Sequence, residues 1–266
     1  MSERGDAFAE LHRRGGPLFL PNAWDFASAW MLAQAGYPAV GTTSLGVAGA
    51  VGKPDAMGSV REETLVLTHR LARLPVLLTV DLESGFSDDP EEVADLAAEI
   101  SAAGAVGINL EDGTLDQTMG PSDVHCAKIA AVKSRVPELF VNARTDAFWL
   151  THKASQPALD DSLRRARDYL SAGASGIFIP GLQEYQSIET VSAEIDAPLN
   201  ILYQPGRHTL SRLALAGVAR VSTGSLLFRA ALQALLQTSH AARDYAVLED
   251  PERPTYRQIQ TALIGP

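Results

Sequence analysis

Short apolar runs recur along the chain at fairly even intervals, and each is followed by a stretch with helical spacing of its apolar residues. The runs cover 18–21, 39–43, 76–83, 106–111, 139–146, 176–181, 199–204 and 219–224. Between them, 24–35, 90–103, 122–136, 159–172 and 210–215 are rich in Ala, Leu, Glu and Arg at helical spacing. Strand alternating with helix predicts parallel strands joined by crossover helices. Eight such units in one chain predict an α/β fold of the (β/α)₈ TIM-barrel type rather than an open sheet. A repeated phrase at the helix ends agrees, with Gly36, Gly104, Gly173 and Gly217 each placed where a helix stops and the chain turns into the next strand. No Gly-x-Gly-x-x-Gly follows the first strand, so nothing points to a dinucleotide. The pattern predicts a single barrel domain over 1–266. Within it, 225–266 forms a helical extension: a long, largely apolar helix over 225–245, then one more over 248–266. Such surplus helix covers a barrel end or packs against another subunit.

Composition narrows the function. The chain has 266 residues, 46% apolar, ample for one substantial core. Lys and Arg number 22 against 32 Asp and Glu, a net charge of −10. An acidic surface argues against nucleic acid or an anionic membrane as partner, while leaving room for an anionic substrate where local cations reverse the sign. The single cysteine, Cys126, excludes an intrachain disulfide and a cysteine-built metal site, and fits a cytoplasmic location. No apolar run approaches the roughly 20 residues of a membrane span, and no signal peptide is visible.

The candidate chemistry gathers at the carboxyl ends of the strands, where barrels place it. The run 75–80 ends in Asp81 and Glu83, which strand alternation turns to one face. Two neighbouring acids repel unless a cation or proton lies between them, and hard oxygen ligands suit Mg²⁺ or Mn²⁺. Asp55 and Glu111 add two further acids from neighbouring strand ends. Arg144 ends another strand, with a fork suited to a carboxylate or phosphate. Thr43 and Ser44, with backbone N–H groups of the Gly-rich stretch after them, form a second anion cradle. The set describes a small dianionic acid bound to a metal. Plainer readings stand beside it. Asp25 reads as a helix cap, Trp24 as barrel-mouth packing or a pocket wall, and Arg144 as a salt-bridge partner. Asp112 and Asp146 read as loop or cap acids, and His208 as an exposed turn residue. Ser122 reads as the N-cap of the following helix, and Cys126 as a structural thiol within it.

The segments 21–25, 43–55, 81–86, 108–112 and 142–146, taken in order, resemble the isocitrate lyase/phosphoenolpyruvate mutase superfamily, in particular its small phosphonomutase-like members. The resemblance spans roughly residues 15 to 240. It implies a modified (β/α)₈ barrel whose last helix swaps between subunits of a homodimer or homotetramer. Asp81 then matches the acid that binds Mg²⁺ most directly, while Asp55, Glu83 and Glu111 match acids that hold its water ligands. Thr43 and Ser44 match the pair that binds the substrate carboxylate or phosphonate, with Trp24 beside them. Arg144 matches the substrate-binding arginine and, with Asp55, the catalytic machinery. The implied activity is carbon–carbon lyase or decarboxylase chemistry on a small 2-oxo or 2-hydroxy dicarboxylate, through a stabilised enolate. Two departures narrow this. Asp81-x-Glu83 replaces the family's usual Asp-x-Asp. The segment 113–120 lacks the Lys-x-Cys-Gly-His of the lyases and the Lys and Asn of the mutases. Phosphonopyruvate or phosphoenolpyruvate chemistry at a C–P bond is the alternative, and a non-catalytic 2-oxo-acid binding protein is another.

Overall fold

A computed structural model describes residues 3–13, 15–116, 118–151, 155–244 and 253–264. Nine parallel strands form one nearly closed barrel: β1 (Leu18–Leu20), β2 (Asn22–Ala23), β3 (Ala39–Thr42), β4 (Leu77–Asp81), β5 (Gly107–Glu111), β6 (Phe140–Arg144), β7 (Gly176–Phe178), β8 (Leu199–Leu202) and β9 (Arg220–Ser222). The extra strand, β2, lies just past the first apolar run, on the far side of Pro21. Proline has no N–H for a ladder, so the run cannot pair continuously. β1 pairs with β9, with Leu18 opposite Arg220, and β2 pairs with β3, with Asn22 opposite Gly41. The two short pieces therefore act as one stave that closes the ring. Asn22 clips the seam: its Oδ1 accepts the backbone N–H groups of Thr223 and Gly224, at 3.0 and 2.9 Å.

The connecting helices alternate with the strands. In order they are α1 (Glu3–Leu11), α2 (Phe26–Gln34), α3 (Ser44–Ala50), α4 (Arg61–Leu71), α5 (Pro90–Ala102), α6 (Ser122–Arg135), α7 (Ala147–Thr151), α8 (Gln156–Ser171), α9 (Tyr185–Glu194), α10 (Leu210–Leu215), α11 (Leu226–Arg243) and α12 (Tyr256–Ile264). Asp25 caps α2 in a reciprocal box with Ser28. Gly36, Gly104, Gly173 and Gly217 all take positive φ just past helix ends. Ser122 is not the cap of α6. Pro121 holds that place, and the Ser122 hydroxyl bonds Asp168 instead. Parts of the two C-terminal helices expected from the sequence, at 245–252 and 265–266, lie outside the described residues. Among the described residues no helix is long and apolar enough to cross a membrane.

The main core lies between the sheet and its helices, and a smaller cluster plugs the barrel floor. The plug is built by α1, an element the apolar pattern did not mark. Phe8 meets Phe140 edge-on at 5.4 Å, and His12 stacks on the same ring at 4.5 Å. His12 is buried, and burial, with Arg220 nearby, lowers its pKa to about 3. It is therefore neutral in the fold while the unfolded chain protonates near 6.5. The unfolded state binds the extra proton, so this group removes stability as pH falls below 6.5. In urea unfolding, the stability of the wild type relative to His12→Phe should fall by about 1.4 kcal/mol per pH unit between pH 6 and 4.5. A pH-independent difference would contradict a neutral, buried His12.

Candidate active site

The carboxyl ends of β2 to β9 enclose a cavity of about 160 Å³ lined by Thr43, Ser44, Asp55, Asp81, Asn109, Glu111 and Arg144, with Trp149, Phe178 and Leu202 as apolar wall. Asp81 ends β4. Its backbone N–H donates to the Thr42 hydroxyl at 2.8 Å, and its Oδ2 accepts the Ser44 N–H at 3.2 Å. Burial pushes the Asp81 carboxyl up, and Arg144 and Ser44 oppose the shift. Ser44 thus spends its backbone donor on Asp81.

Glu83 reaches the cluster by a different route from strand alternation. The strand stops at Asp81, and Glu83 takes φ +50°, a left-handed backbone that a non-glycine residue adopts at a cost of roughly 1–3 kcal/mol. Its Oε2 accepts the Gly58 N–H at 3.1 Å, while Oε1 is buried without a partner. Burial raises its pKa to about 7, and the nearby Asp81 and Asp55 add to the rise. Asp55 also holds a buried Oδ1 with no hydrogen-bond partner.

Arg144 is held from two sides. Nη1 pairs with Glu111 Oε2 at 2.6 Å, while Nε and Nη2 bond the two oxygens of Asp146 at 2.6 and 3.0 Å. Burial alone would lower its pKa, but Asp146 and Glu111 hold it above the ordinary arginine range. The ring of Phe178 lies 5.8 Å from its guanidinium carbon. Arg144 is thus both an ion-pair partner and part of the cavity wall. Glu111, buried beside it, has its carboxyl pushed well up by desolvation, and Arg144 offsets part of this.

Several residues stand elsewhere than the sequence suggested. Trp24 does not line this cavity; its ring packs on Phe228 at 5.3 Å. Gly46 and Gly49 lie inside α3, not in a loop that exposes N–H groups. A Cβ at Gly46 would meet Trp24 at 2.5 Å, and one at Gly49 would meet Phe228 at 2.8 Å, so close helix packing is what requires them. His208 is buried, with Nε2 at 3.1 Å from the Gln183 carbonyl and its ring against Tyr185. Asp112 and Asp146 stand in loops, as read, Asp146 directly before α7, but both are buried rather than exposed. Asp112 Oδ1 accepts the Asp146 N–H at 2.9 Å, and its Oδ2 accepts the Tyr169 hydroxyl at 2.5 Å and Arg165 Nη1 at 3.2 Å. Arg165 also holds the Gly120 carbonyl at 2.9 Å, anchoring the base of the 113–120 segment. The clamp on Arg144 is therefore fixed from behind by a charged network that the sequence did not reveal.

The acids do not form a dry cage. Among the described residues no three His, Cys, Asp or Glu side chains are gathered tightly enough to hold a bare ion. The donor set nonetheless fits a hydrated one. Asp55 Oδ1 and Glu83 Oε1 are buried oxygens without donors, and carboxylates outnumber guanidinium groups around the cavity. An all-oxygen site that keeps water ligands is the chemistry of Mg²⁺ or Mn²⁺.

Fold and cavity define a (β/α)₈ barrel with an acid-rich, arginine-bearing pocket at the carboxyl ends of its strands. The sequence profile of the phosphoenolpyruvate phosphomutase family matches residues 8–243. A Mycobacterium tuberculosis (strain H37Rv) protein, itself uncharacterised, is 39% identical over 258 residues, 97% of this chain and 96% of its own. The 2-methylisocitrate lyase of Halalkalibacterium halodurans is 30% identical over 212 residues, 74% of this chain and 66% of the lyase. The oxaloacetate decarboxylase of Ectopseudomonas mendocina is 31% identical over 176 residues, 62% of this chain and 57% of the decarboxylase. The crystal structure of a phosphonomutase-like protein from Burkholderia cenocepacia J2315 superimposes with a TM-score of 0.86 at 38% identity, covering 90% of this chain and all of its own. The chain belongs to the phosphoenolpyruvate phosphomutase family, within the isocitrate lyase/phosphoenolpyruvate mutase superfamily.

Removing the Tyr169 hydroxyl leaves buried Asp112 with one donor fewer. Tyr169→Phe should lower stability by about 1.5–3 kcal/mol in urea unfolding. An unchanged midpoint would show that the network does not support the Arg144 clamp.

Proposed function

We propose that this protein is a divalent-metal-dependent carbon–carbon lyase or decarboxylase acting on a small 2-oxo or 2-hydroxy dicarboxylate. The observation that carries the reading is one small cavity lined by Asp55, Asp81 and Glu111 with a doubly clamped Arg144, and Glu83 near enough to feel the charge of Asp81 and Asp55. Asp81 would hold the ion directly, with Asp55, Glu83 and Glu111 ordering its water. The ion would supply positive charge where the departing electron pair comes to rest.

The chain's own residues do the rest. Arg144, unable to rotate between Glu111 and Asp146, receives a substrate carboxylate through its remaining donor surface and fixes the orientation of the acid. Thr43 offers a hydroxyl at the cavity wall, and Ser44 keeps Asp81 in place. Phe178, Leu202 and Trp149 reduce the water around the reacting atoms. In decarboxylation of oxaloacetate, the C3–C4 bond breaks, carbon dioxide leaves, and the electron pair passes through C2 to the oxo oxygen. Water then delivers a proton to C3, giving pyruvate. This step needs no dedicated acid, in keeping with a 113–120 segment that has no Lys, Cys or His. The family relationship to an oxaloacetate decarboxylase and a 2-methylisocitrate lyase supports the substrate class.

The relationship to phosphonomutase-like proteins favours a second reading, C–P bond chemistry on phosphonopyruvate or phosphoenolpyruvate. Phosphorus NMR of either compound with the protein separates the two. Retention of 2-oxo acids without any product would instead mark a binding protein. The reading includes a homodimer or homotetramer, because α11 has no buried residue and carries Leu232, Leu235 and Leu236 exposed by 46, 62 and 50%. Light scattering that returned only a monomer would remove this part. With Mg²⁺ present, purified protein should release pyruvate from oxaloacetate or an aldol-type fragment from a substituted malate. Asp81→Ala should lower that rate by about 10²–10³. Equal, background-level rates in both proteins would sink the lyase reading.

A further inference from the structure

Asn109 stands two residues before Glu111 on β5, so the strand turns both side chains into the barrel. It lines the cavity, yet neither the charge pattern nor the metal set uses it. Its Oδ1 accepts two hydrogen bonds from behind, from Asn142 Nδ2 at 2.9 Å and from Arg220 Nη2 at 3.2 Å. Arginine carries donors only, so the amide atom facing Arg220 must be the oxygen. That fixes the sense of the amide, and its NH₂ group points away from Arg220.

Arg220 is itself unusual. It lies on β9 opposite Asn200, is 1% exposed, and forms no ion pair among the described residues. Its Nε and Nη1 have no hydrogen-bond partner, and its contact with Asn109 is the one hydrogen bond it makes there. Burial lowers its pKa to about 9, opposed by the field of Asp81, which leaves it charged at neutral pH. A buried, unpaired guanidinium is expensive, and such groups persist at sites that use them.

We infer that Asn109 is a further substrate-binding residue, presenting its amide N–H to an oxygen of the bound carboxylate or 2-oxo group, and that Arg220 is the positioning residue that holds the amide in this sense. A cation bonded to Oδ1 polarises the amide and makes its N–H a stronger donor. Arg220 thereby gives a dianionic ligand a second positive field from beneath the cavity floor without touching it. The ligand class that fits is a small planar acid with adjacent oxygens. The inference rests on the proposal that this cavity takes such an acid.

Oxalate is the probe, with its binding measured calorimetrically at saturating Mg²⁺ and thermal melting followed in parallel. Asn109→Asp keeps the shape, gives Arg220 a carboxylate partner, and replaces the donor by a negative oxygen. It should melt no lower than the wild type and bind oxalate about 10–100-fold more weakly. Arg220→Met removes one of the two donors on the amide oxygen and the charge behind it, and should weaken binding about tenfold, with Arg220→Lys recovering part of the loss. Wild-type affinity in a folded Asn109→Asp protein would overturn the inference, and that variant decides alone if Arg220→Met does not fold. A loss of melting temperature without a change in affinity would reduce both residues to structural roles and overturn it too. Tight oxalate binding with the expected losses, but no turnover of oxaloacetate, would sustain the inference and remove the lyase reading. Absence of oxalate binding to the wild type would remove both.

Discussion

The structure depends on the balance of charge around Arg144. Five carboxylates crowd together, those of Asp81, Glu83, Glu111 and Asp146 from the ends of β4, β5 and β6 and that of Asp55 from the loop after α3, and one guanidinium stands among them. Arg144 is consumed by two of the acids, Glu111 and Asp146. Asp81, Asp55 and Glu83 are left facing one another in a poorly hydrated space, which is why burial and mutual repulsion raise Asp81 and Glu83. A group of this kind is stable when it shares protons or a cation. The two unpartnered oxygens on Asp55 and Glu83 are buried acceptors that no donor reaches among the described residues.

The scaffold spends much of its irregularity on keeping that imbalance in place. The backbone of Asp81 is tied to Thr42, that of Gly58 to Glu83, and the turn after β4 carries three positive-φ residues, Glu83, Gly85 and Phe86. Behind the cavity, Arg165 and Tyr169 converge on Asp112, which holds the Asp146 backbone and so aims the Arg144 clamp. Beneath it, Arg220 and Asn142 orient Asn109. Each support ends on a backbone group or a fixed fork, so the functional side chains are held by rigid elements rather than by flexible neighbours.

The barrel was legible because its signals are local and repeated. Apolar runs separated by helical spacing and closed by Gly36, Gly104, Gly173 and Gly217 describe parallel staves wherever they occur. Asp55, Asp81, Glu111 and Arg144 were legible for a related reason, since strand ends in a barrel share one rim. What stayed hidden depends on contacts across the fold. The division of the first stave at Pro21 follows from its pairing with both β9 and β3. The roles of Asp112 and Asp146 follow from Tyr169 and Arg165, which lie 57 and 53 residues from Asp112 in the sequence. Trp24 was read as barrel-mouth packing or as a pocket wall, and its contact with Phe228 is packing; the glycines of α3 were read toward a ligand, whereas the helix packs them against Trp24 and Phe228. Arg220 did leave a trace: a single arginine inside the run 219–224 marks a buried charge. Its use could be read only once Asn109 was seen on the opposite side of the barrel.

The central claim is that one divalent ion completes this arrangement. Anomalous diffraction from a crystal grown with Mn²⁺ and oxalate tests it most directly. The account predicts a single strong peak in the cavity beside Asp81, with water linking it to Asp55 and Glu83 and oxalate between it and Arg144. Density without a peak there, with each carboxylate turned to its own basic neighbour, would contradict it.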